Sequence, residues 1–285
     1  MRYMMLIKAT KNYEAGVIPD EKSLLEMAKN FEALVNAGTR PECGRLQPSS
    51  HGMRVRYSKG QFTIIDGPFA ETKELVAGFC LIEAKSLQEA IEWAKRMPFQ
   101  EGEIEVRPLF ELTDFPVDPN EKPGCWREKE EAFRTELPAR RPGTIRYMGI
   151  VKADKNTEAG VMPNEKLLAA MGAFMEEGIK SGIYLSGEGL QPSSKGARIR
   201  YSGSNRTVID GPFAETKELI GGYAILQFSS KAEAIEWTKR FVQVGAPGHL
   251  DAENECEIRP FFEFEEFGPS EAMERFRAAG EEAKK

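Results

Sequence analysis

Apolar and polar positions along residues 1–111 alternate with two periods, one typical of strands and one typical of helices. Leu24, Phe31 and Leu34 recur at helical spacing within 20–37, and Gly38 is a typical helix stop. Further elements are a helix over 86–97 and strands over 2–9, 43–47, 52–58, 61–66, 75–83 and 104–111. This pattern predicts an α+β sandwich of the ferredoxin-like type, with both helices on one face of the sheet.

The same pattern occurs a second time, because the chain contains an internal repeat. Residues 2–97 align with 146–241 at a constant offset of 144 without a gap, and 49 of these 96 positions are identical. The registers separate only before the last strand, where the second copy is eight residues longer. Two copies of domain size indicate a duplicated domain rather than a solenoid.

These boundaries divide the chain into four parts. We expect a first domain at 1–111, a linker at 112–144, a second domain at 145–267 and a tail at 268–285. The linker is rich in proline and charge around a predicted helix from Trp126 to Leu137, and the tail has a similar helical pattern. Both segments are either amphipathic helices that dock on the domains or solvated spacers.

A single ferredoxin-like sheet leaves one of its faces uncovered. Packing that face against the second copy would bury it, which gives a physical reason for the duplication. We therefore expect two tandem ferredoxin-like domains that form an intrachain pseudo-dimer with pseudo-twofold symmetry.

One segment is identical in the two copies over ten residues, Asp66-Gly-Pro-Phe-Ala-Glu-Thr-Lys-Glu-Leu75 and Asp210 through Leu219. Leu46-Gln-Pro-Ser-Ser and Arg54-Val-Arg-Tyr precede it, and Gly78-Phe79 follows. With these neighbours the segment resembles the signature of the DGPF family within the YCII-related proteins, over nearly all of both copies. The resemblance implies a dimeric α+β barrel, here with its two halves fused.

The same resemblance carries expectations about activity and partners. Some wider relatives act on small ring compounds with a His–Asp pair, and the DGPF branch is associated with extracytoplasmic-function sigma factors. This sequence departs from the His–Asp pattern. His51 is replaced by Lys195 in the second copy, and His249 lies within the additional residues. The departure weakens an enzyme assignment and leaves a sigma factor as the partner implied by the family.

The motif also has a purely structural interpretation. Asp66 can accept backbone N–H bonds, Gly67 permits unusual dihedral angles, Pro68 fixes φ and Phe69 is an apolar anchor. A turn does not require the particular polar residues at 71–74, yet they are identical in the two copies. The hairpin turn a few residues earlier, at 59–62, differs completely between the copies. Two causes stay open, a binding pocket and reciprocal contacts across the pseudo-twofold interface.

For a pocket, carboxylates held close together would raise one pKa and supply a general acid or base. Asp66 and Asp210 are the catalytic candidates. The candidate ligand-binding residues are Arg54, Arg56, Phe69, Glu71, Lys73, Arg198, Arg200, Phe213, Glu215 and Lys217. In the alternative interpretation, the arginines only pair with glutamates on a solvated strand face.

Composition excludes several classes of function. The net charge of −6 and the pI of about 5.4 leave no basic excess for direct nucleic-acid binding. No apolar run approaches the roughly 20 residues of a membrane span. The four cysteines are scattered, which argues against zinc and disulfides and favours a cytoplasmic location. No metal or cofactor is predicted.

Three functions are therefore open. The first is a protein that binds a small molecule or a regulatory partner near the duplicated DGPF loops. The second is an enzyme on small polar or ring substrates that uses Asp or Glu as acid and base. The third is a protein–protein contact module, with a sigma factor as its partner.

Overall fold

The computed structural model describes residues 1–70, 75–115, 137–214, 219–244 and 254–283. The first copy contains β1 (Arg2–Lys8), α1 (Lys11–Glu14), α2 (Glu21–Asn36), β2 (Glu42–Arg45), β3 (Met53–Ser58), β4 (Gln61–Asp66), β5 (Val76–Glu83), α3 (Leu87–Lys95) and β6 (Glu101–Pro108). The second contains β7 (Ile145–Lys152), α4 (Lys155–Glu158), α5 (Glu165–Lys180), β8 (Tyr184–Gly189), β9 (Ala197–Ser202), β10 (Asn205–Asp210), β11 (Ile220–Phe228), α6 (Lys231–Val244) and β12 (Asn254–Pro260). A final helix, α7 (Glu271–Glu282), follows.

The helices begin where the sequence supplies a side-chain cap. Asp20 accepts a hydrogen bond from the backbone N–H of Ser23 at the start of α2, and Asn164 does the same for Leu167 at the start of α5. Ser86 caps α3 through the N–H of Glu89. Such caps satisfy N–H groups that have no partner within the helix, and each stabilises it by about 1 kcal/mol.

The strands form two six-stranded sheets, and each sheet takes strands from both copies. The first has the order β10-β9-β6-β1-β5-β2, and the second has the order β4-β3-β12-β7-β11-β8. The hairpin β3–β4 of the first copy thus pairs with β12 of the second copy, and β9–β10 pairs with β6. The two copies exchange hairpins, a connection that the sequence did not reveal.

Four strands of each sheet close into a barrel. The end of β2 meets the end of β12 through a bridge between Leu46 and Phe261, and Leu109 and Leu190 join β6 to β8 in the same way. Every neighbouring pair is antiparallel, so β1, β2, β7 and β8 all run in the same direction along the barrel. The expected pair of ferredoxin-like copies is therefore confirmed as a fused α+β barrel.

Apolar side chains from both copies fill the space between the two sheets. Phe79 of the first copy lies with its ring centroid 6.0 Å from Tyr223 and 6.1 Å from Phe261 of the second. Met4, Leu6, Met148 and Ile150 belong to the same buried cluster. Full burial of a side chain of this size stabilises the fold by about 1.5–3 kcal/mol. Burial of these apolar side chains is the physical reason that the two sheets pack against each other, as the sequence predicts.

The outer faces of the sheets are covered by helices. Trp93 on α3 packs in the core outside the first sheet, and Trp237 on α6 packs outside the second, as the helical spacing predicts. The tail helix α7 docks on α2, where Arg275 bonds Glu32 through two nitrogens and Phe276 faces Phe31 at 5.8 Å. The linker residues 116–136, including most of the helix expected from Trp126 to Leu137, lie outside the described residues.

One cysteine expectation was wrong. Cys43 on β2 and Cys80 on β5 form a disulfide. The two residues are 37 positions apart in sequence but are direct partners in the register of the neighbouring strands, which the sequence did not reveal. Cys256 is a free thiol, and burial raises its pKa to about 12.

None of the helices among the described residues is both long enough and apolar enough to cross a membrane.

Candidate functional site

The DGPF loops lie where the chain crosses from one sheet to the other. In the first copy, residues 46–52 lead from β2 to the exchanged hairpin, and residues 67–70 follow its last strand. The two segments touch: a Cβ added at Gly67 would lie 1.8 Å from the carbonyl oxygen of Ser49. At Gly211 the same atom would lie 1.9 Å from the oxygen of Ser193. Only glycine fits at these positions, because of close backbone approach.

A buried serine fastens the two segments together. The Ser49 Oγ accepts the backbone N–H of Phe69 at 3.1 Å and donates to the carboxylate of Glu14, which ends α1. The backbone N–H of Ser49 donates to the same carboxylate at 3.1 Å. Ser193, Phe213 and Glu158 repeat this arrangement in the second copy.

Buried ion pairs then connect the first crossover to the second copy. Arg259 on β12 is fully buried; its Nη1 donates to Glu257 at 3.1 Å and its Nε donates to the carbonyl of Gln47 at 3.1 Å. The second oxygen of Glu257 accepts from Nε of Arg54 at 2.9 Å. The guanidinium of Arg54 lies 4.1 Å from the ring centroid of Phe69, a cation–π contact.

The second crossover has a matching network. Arg107 donates to Glu105 at 3.0 Å and to the carbonyl of Gln191 at 2.8 Å, and Arg198 donates to Glu105 at 3.0 Å. Lys8 lies 3.5 Å from the same carboxylate. Burial pushes the pKa of Glu105 upward, but Lys8, Arg107 and Arg198 outweigh it, and the pKa lies below its ordinary value of 4.5. Glu105 is therefore held as a carboxylate in the interior.

The sequence-predicted residues divide between these networks and the surface. Arg54 contacts Phe69, and Arg198 lies over Phe213 at 4.1 Å, so these candidate binding residues do lie together in pairs. Arg56 pairs with Glu255 at 2.8 Å and is 45% exposed, and Arg200 lies 3.4 Å from Glu103 and is 63% exposed. The largely buried Arg54 and Arg198 contact the loops, and the exposed Arg56 and Arg200 belong to surface ion pairs.

Asp66 does not join the arginines. It is the strand partner of Met53, which packs in the core beneath the helices, whereas Arg54 belongs to the opposite face of the hairpin. Its carboxylate bonds Lys231 at 2.6 Å, and both side chains are at least half exposed. Asp210 is also exposed. The catalytic assignment of these two aspartates stays a prediction.

Four of the predicted binding residues cannot be placed. Glu71, Lys73, Glu215 and Lys217 lie outside the described residues.

A second polar group lies inside one end of the barrel, and we call it the barrel-end cluster: Arg2, Glu42, Arg146, Ser186 and Glu188. Strand register points each side chain inward. Arg2 and Arg146 each lie two residues before an inward methionine, and Glu42, Ser186 and Glu188 are strand partners of Leu81, Ile225 and Tyr223 of the inner core. Arg2, Glu42 and Arg146 lie at the start of β1, β2 and β7, which run in the same direction, and the ion pair between Arg2 and Glu188 places β8 beside them.

The barrel-end cluster is only partly satisfied internally. Arg2 makes an ion pair with Glu188 of the other copy and lies 3.8 Å from Glu111. Its Nη2 is nevertheless buried without a hydrogen-bond partner among the described residues, and so is the Oγ of Ser186. Buried donors without partners are rare in folded proteins, and a bound ligand or water is one of the groups that can supply the acceptor.

The pKa of Glu42 is perturbed in the same cluster. Its side chain is open to solvent, yet the surrounding protein desolvates it and raises its pKa, while the charges of Arg146 and Arg2 act in the opposite direction. A carboxyl group with a perturbed pKa beside charged partners is a common property of functional sites.

The sequence alone did not indicate the buried Glu–Arg pairs at the crossovers or the barrel-end cluster, for a physical reason. Glu105-Val-Arg-Pro108 and Glu257-Ile-Arg-Pro260 share a pattern that could have indicated the buried pairs, but the two segments lie beyond the gapless alignment. The barrel-end cluster has a weaker signal. Arg2 and Arg146 are equivalent, whereas Glu42 aligns with Ser186 and Gly44 with Glu188.

Two open depressions lie elsewhere on the described surface. One, of about 370 Å³, is lined by Thr10, Lys11, Asn12, Glu101 and Gly102. The other, of about 320 Å³, is lined by residues 140–143 and Glu265. Neither contains a predicted site residue or a member of the barrel-end cluster.

Fold and sites define a fused two-copy α+β barrel whose exchanged hairpins are held by buried ion pairs. The chain belongs to the YCII-related family, because the YCII-related domain matches residues 1–113 and again 145–261. The expected family and its tandem duplication are thereby confirmed.

Individual relatives add little about activity. An uncharacterized protein of Rhizobium meliloti (strain 1021) is 38% identical over 93 residues, which are 32% of this chain and 75% of that protein. Among solved structures, a mutant chlorite dismutase from Candidatus Nitrospira defluvii is similar at 9% identity with a TM-score of 0.41, over 96% of this chain and 94% of that one. Another mutant of that enzyme, in complex with cyanide, has a TM-score of 0.39 at 9% identity, over 99% and 94% of the two chains.

Proposed function

We propose that this chain is a non-catalytic binding protein whose ligand is a small polar molecule with an anionic oxygen, held at the barrel-end cluster. The observation that carries the proposal is the pair of buried donors, Arg2 Nη2 and Ser186 Oγ, without partners among the described residues. An anionic oxygen accepting from both donors would lie beside the guanidinium of Arg2, whereas Arg146 already donates to Glu263 through two nitrogens at 3.1 Å.

The composition of the cluster supports a ligand that has a second polar end. Glu42 and Glu188 add carboxylates beside the arginines, so the site suits a molecule with one anionic group and a hydroxyl or amine near it. The apolar core beneath the cluster offers Phe79 and Tyr223 as a floor. A few polar groups above an apolar base are typical of small-molecule sites.

The crossover networks support this choice indirectly. Arg259 and Glu257, like Arg107 and Glu105, bond each other and the crossover backbone within the interior. Their role is explained by holding the loops in place. The alternatives of acid–base catalysis by Asp66 and of a sigma-factor partner stay predictions, the second from the family resemblance.

A binding measurement on the full chain tests the proposal. Isothermal titration calorimetry with acetate, methanesulfonate and inorganic phosphate supplies three anionic oxygens of different geometry. We expect at least one to bind, and Ser186→Ala to weaken that binding by at least about tenfold, since a hydrogen bond to a charged group is worth about 1.5–3 kcal/mol.

The same variant separates binding from folding. Ser186→Ala removes a buried hydroxyl that has no partner among the described residues, so we expect its unfolding free energy to stay equal or to rise. Ser202→Ala, at an exposed position on β9, is the matched control and should change neither quantity. Absence of binding by all three probes, or equal binding by Ser186→Ala, would refute the proposal.

A further inference from the structure

We infer that two copies of this chain associate through β4, which pairs antiparallel with β4 of the partner subunit and joins two six-stranded sheets into one. The inference is independent of the barrel-end cluster. It rests on the exposure, position and charge pattern of a single strand.

The strand β4 is an edge strand that long side chains of α6 reach, where Lys239 lies 5.9 Å from the ring centroid of Phe62 and Lys231 bonds Asp66. It pairs with β3 on one side and is the last strand of its sheet on the other. All six of its residues are exposed, including Phe62 at 38%, Ile64 at 42% and Ile65 at 37%. An edge that is long, apolar and without proline or internal lysine is a template for pairing with another strand.

The equivalent edge in the other sheet is protected. Arg206 on β10 occupies the position of Phe62, and its guanidinium is bonded to the carbonyls of Gly203 and Phe99 at 2.7 and 2.9 Å. Val208, the equivalent of Ile64, packs against the core beneath α3. The two copies have therefore diverged at the edge, so that only β4 presents exposed apolar side chains.

The remaining two edges are used within the chain. The ends of β2 and β8 are joined to β12 and β6 by the bridges that close the barrel. A chain with one self-complementary edge forms a closed twofold dimer and cannot extend into a fibre. The geometry thus points to a second copy of this chain as the occupant.

Side-chain direction limits the register of such a pair. A twofold axis perpendicular to the sheet keeps corresponding faces together, so each residue of β4 must meet one of the same face. In the register centred on Thr63, this residue meets Thr63 of the partner subunit, and Phe62 meets Ile64 of the partner subunit. Aromatic and β-branched residues are favourable partners in such positions.

Charge favours the same register. Asp66 meets Gly60 of the partner subunit, next to Lys59, and the two Asp66 carboxylates lie at opposite ends of the interface. No like charges face each other within residues 61–66, because Asp66 is the only charged residue among them. Lys59 adds a positive charge near the Asp66 carboxylate, which also bonds Lys231 of its own chain, and such charges contribute to orientation more than to affinity.

Introducing a positive or a negative charge at Thr63 tests both the contact between the two β4 strands and its register. Thr63→Lys and Thr63→Glu each place two like charges directly across the twofold axis, and we expect each to raise the dimer dissociation constant at least about tenfold. Mixed together, the two variants should form a heterodimer, because lysine then faces glutamate. Sedimentation velocity of the full chain over a range of concentrations measures all four samples, including the unaltered protein.

Thr207→Lys on β10 is the matched control, since Thr207 is the equivalent, exposed position on the other edge. It should leave the dimer intact, and circular dichroism should show that every variant is folded. A monomeric unaltered protein would overturn the inference. So would equal effects of Thr63→Lys and Thr207→Lys, or a mixture of the two Thr63 variants that stays monomeric.

Discussion

The backbone N–H of Phe69 donates to the hydroxyl of Ser49 across 3.1 Å, and Phe213 and Ser193 form the same bond at 3.2 Å. The bond joins the two segments through which each exchanged hairpin leaves its own copy and returns to it. It gives a structural reason for the identity of these residues between copies. Among the described residues the two hairpin tips share no bond of this kind, and their sequences differ.

Removing this serine should destabilise the fold. In a Ser49→Ala, Ser193→Ala double variant the Phe N–H groups and the Glu14 and Glu158 carboxylates lose a buried partner. A buried group left without its partner costs about 1–3 kcal/mol. Urea denaturation should therefore show a lower unfolding free energy. Ser50→Ala, at an exposed position, is the control, and an equal value for all three proteins would contradict the bonding role.

The aspartates of the motif should behave differently. Asp66→Asn with Asp210→Asn alters two exposed side chains, and only a surface ion pair to Lys231 is affected at Asp66. Such pairs contribute less than about 1 kcal/mol. The melting temperature should therefore change little. A decrease as large as that of a core truncation would instead identify Asp66 and Asp210 as structural residues of the turn.

The local elements could be predicted because periodicity and caps are local. The helix expected at 20–37 occurs at Glu21–Asn36, and the strand expected at 104–111 is displaced to Glu101–Pro108. The hairpin exchange could not be predicted, because Val55 and Ile199 are equivalent and either sheet would bury them equally well. Which sheet receives a hairpin depends on the crossover geometry, which the apolar pattern does not encode.

The sites show the same limit. Arg54 and Phe69 contact each other because the motif and the strand before it are close in sequence. Both residues were therefore predicted as members of one site. Glu257, which orients Arg54, is 203 positions away and belongs to the other copy. Asp66 and Arg54 are close in sequence, but the strand period separates them onto two faces once Met53 fixes the register.

Acid stability should depend on Lys8. The pKa of Glu105 is lowered in the folded state, so its ionised form stabilises the protein fully above the ordinary value of 4.5 and loses this contribution as pH falls further. Lys8→Met removes the largest of the charges that lower this pKa. The acid unfolding midpoint should then move to higher pH. Lys29→Met, which affects an exposed pair with Glu26, should leave the midpoint unchanged.

Anion binding at the barrel-end cluster should depend on the ionisation of Glu42. Its pKa is raised, and above that pKa its carboxylate repels an anionic probe. The affinity for methanesulfonate, which stays ionised, should therefore fall as pH rises through the pKa of Glu42. Glu42→Gln should bind more tightly at high pH and lose this dependence. The same pH profile in Glu42→Gln and the unaltered protein would exclude Glu42 from the site.

The two copies should depend on each other for folding. When the chain is separated into 1–111 and 145–283, the hairpin β3–β4 of the first half loses its partner strand β12, which belongs to the second half. In the same way, the hairpin β9–β10 of the second half loses its partner strand β6. The inner apolar face, with Phe79 on one side and Tyr223 on the other, is also uncovered. We expect each half alone to dimerise or aggregate, and the two halves mixed during refolding to form a soluble one-to-one complex, as light scattering would show. As a control, the full chain cleaved at a protease site inserted in the linker should keep its halves together. Soluble, monomeric halves would show that the exchange of hairpins is not needed for stability.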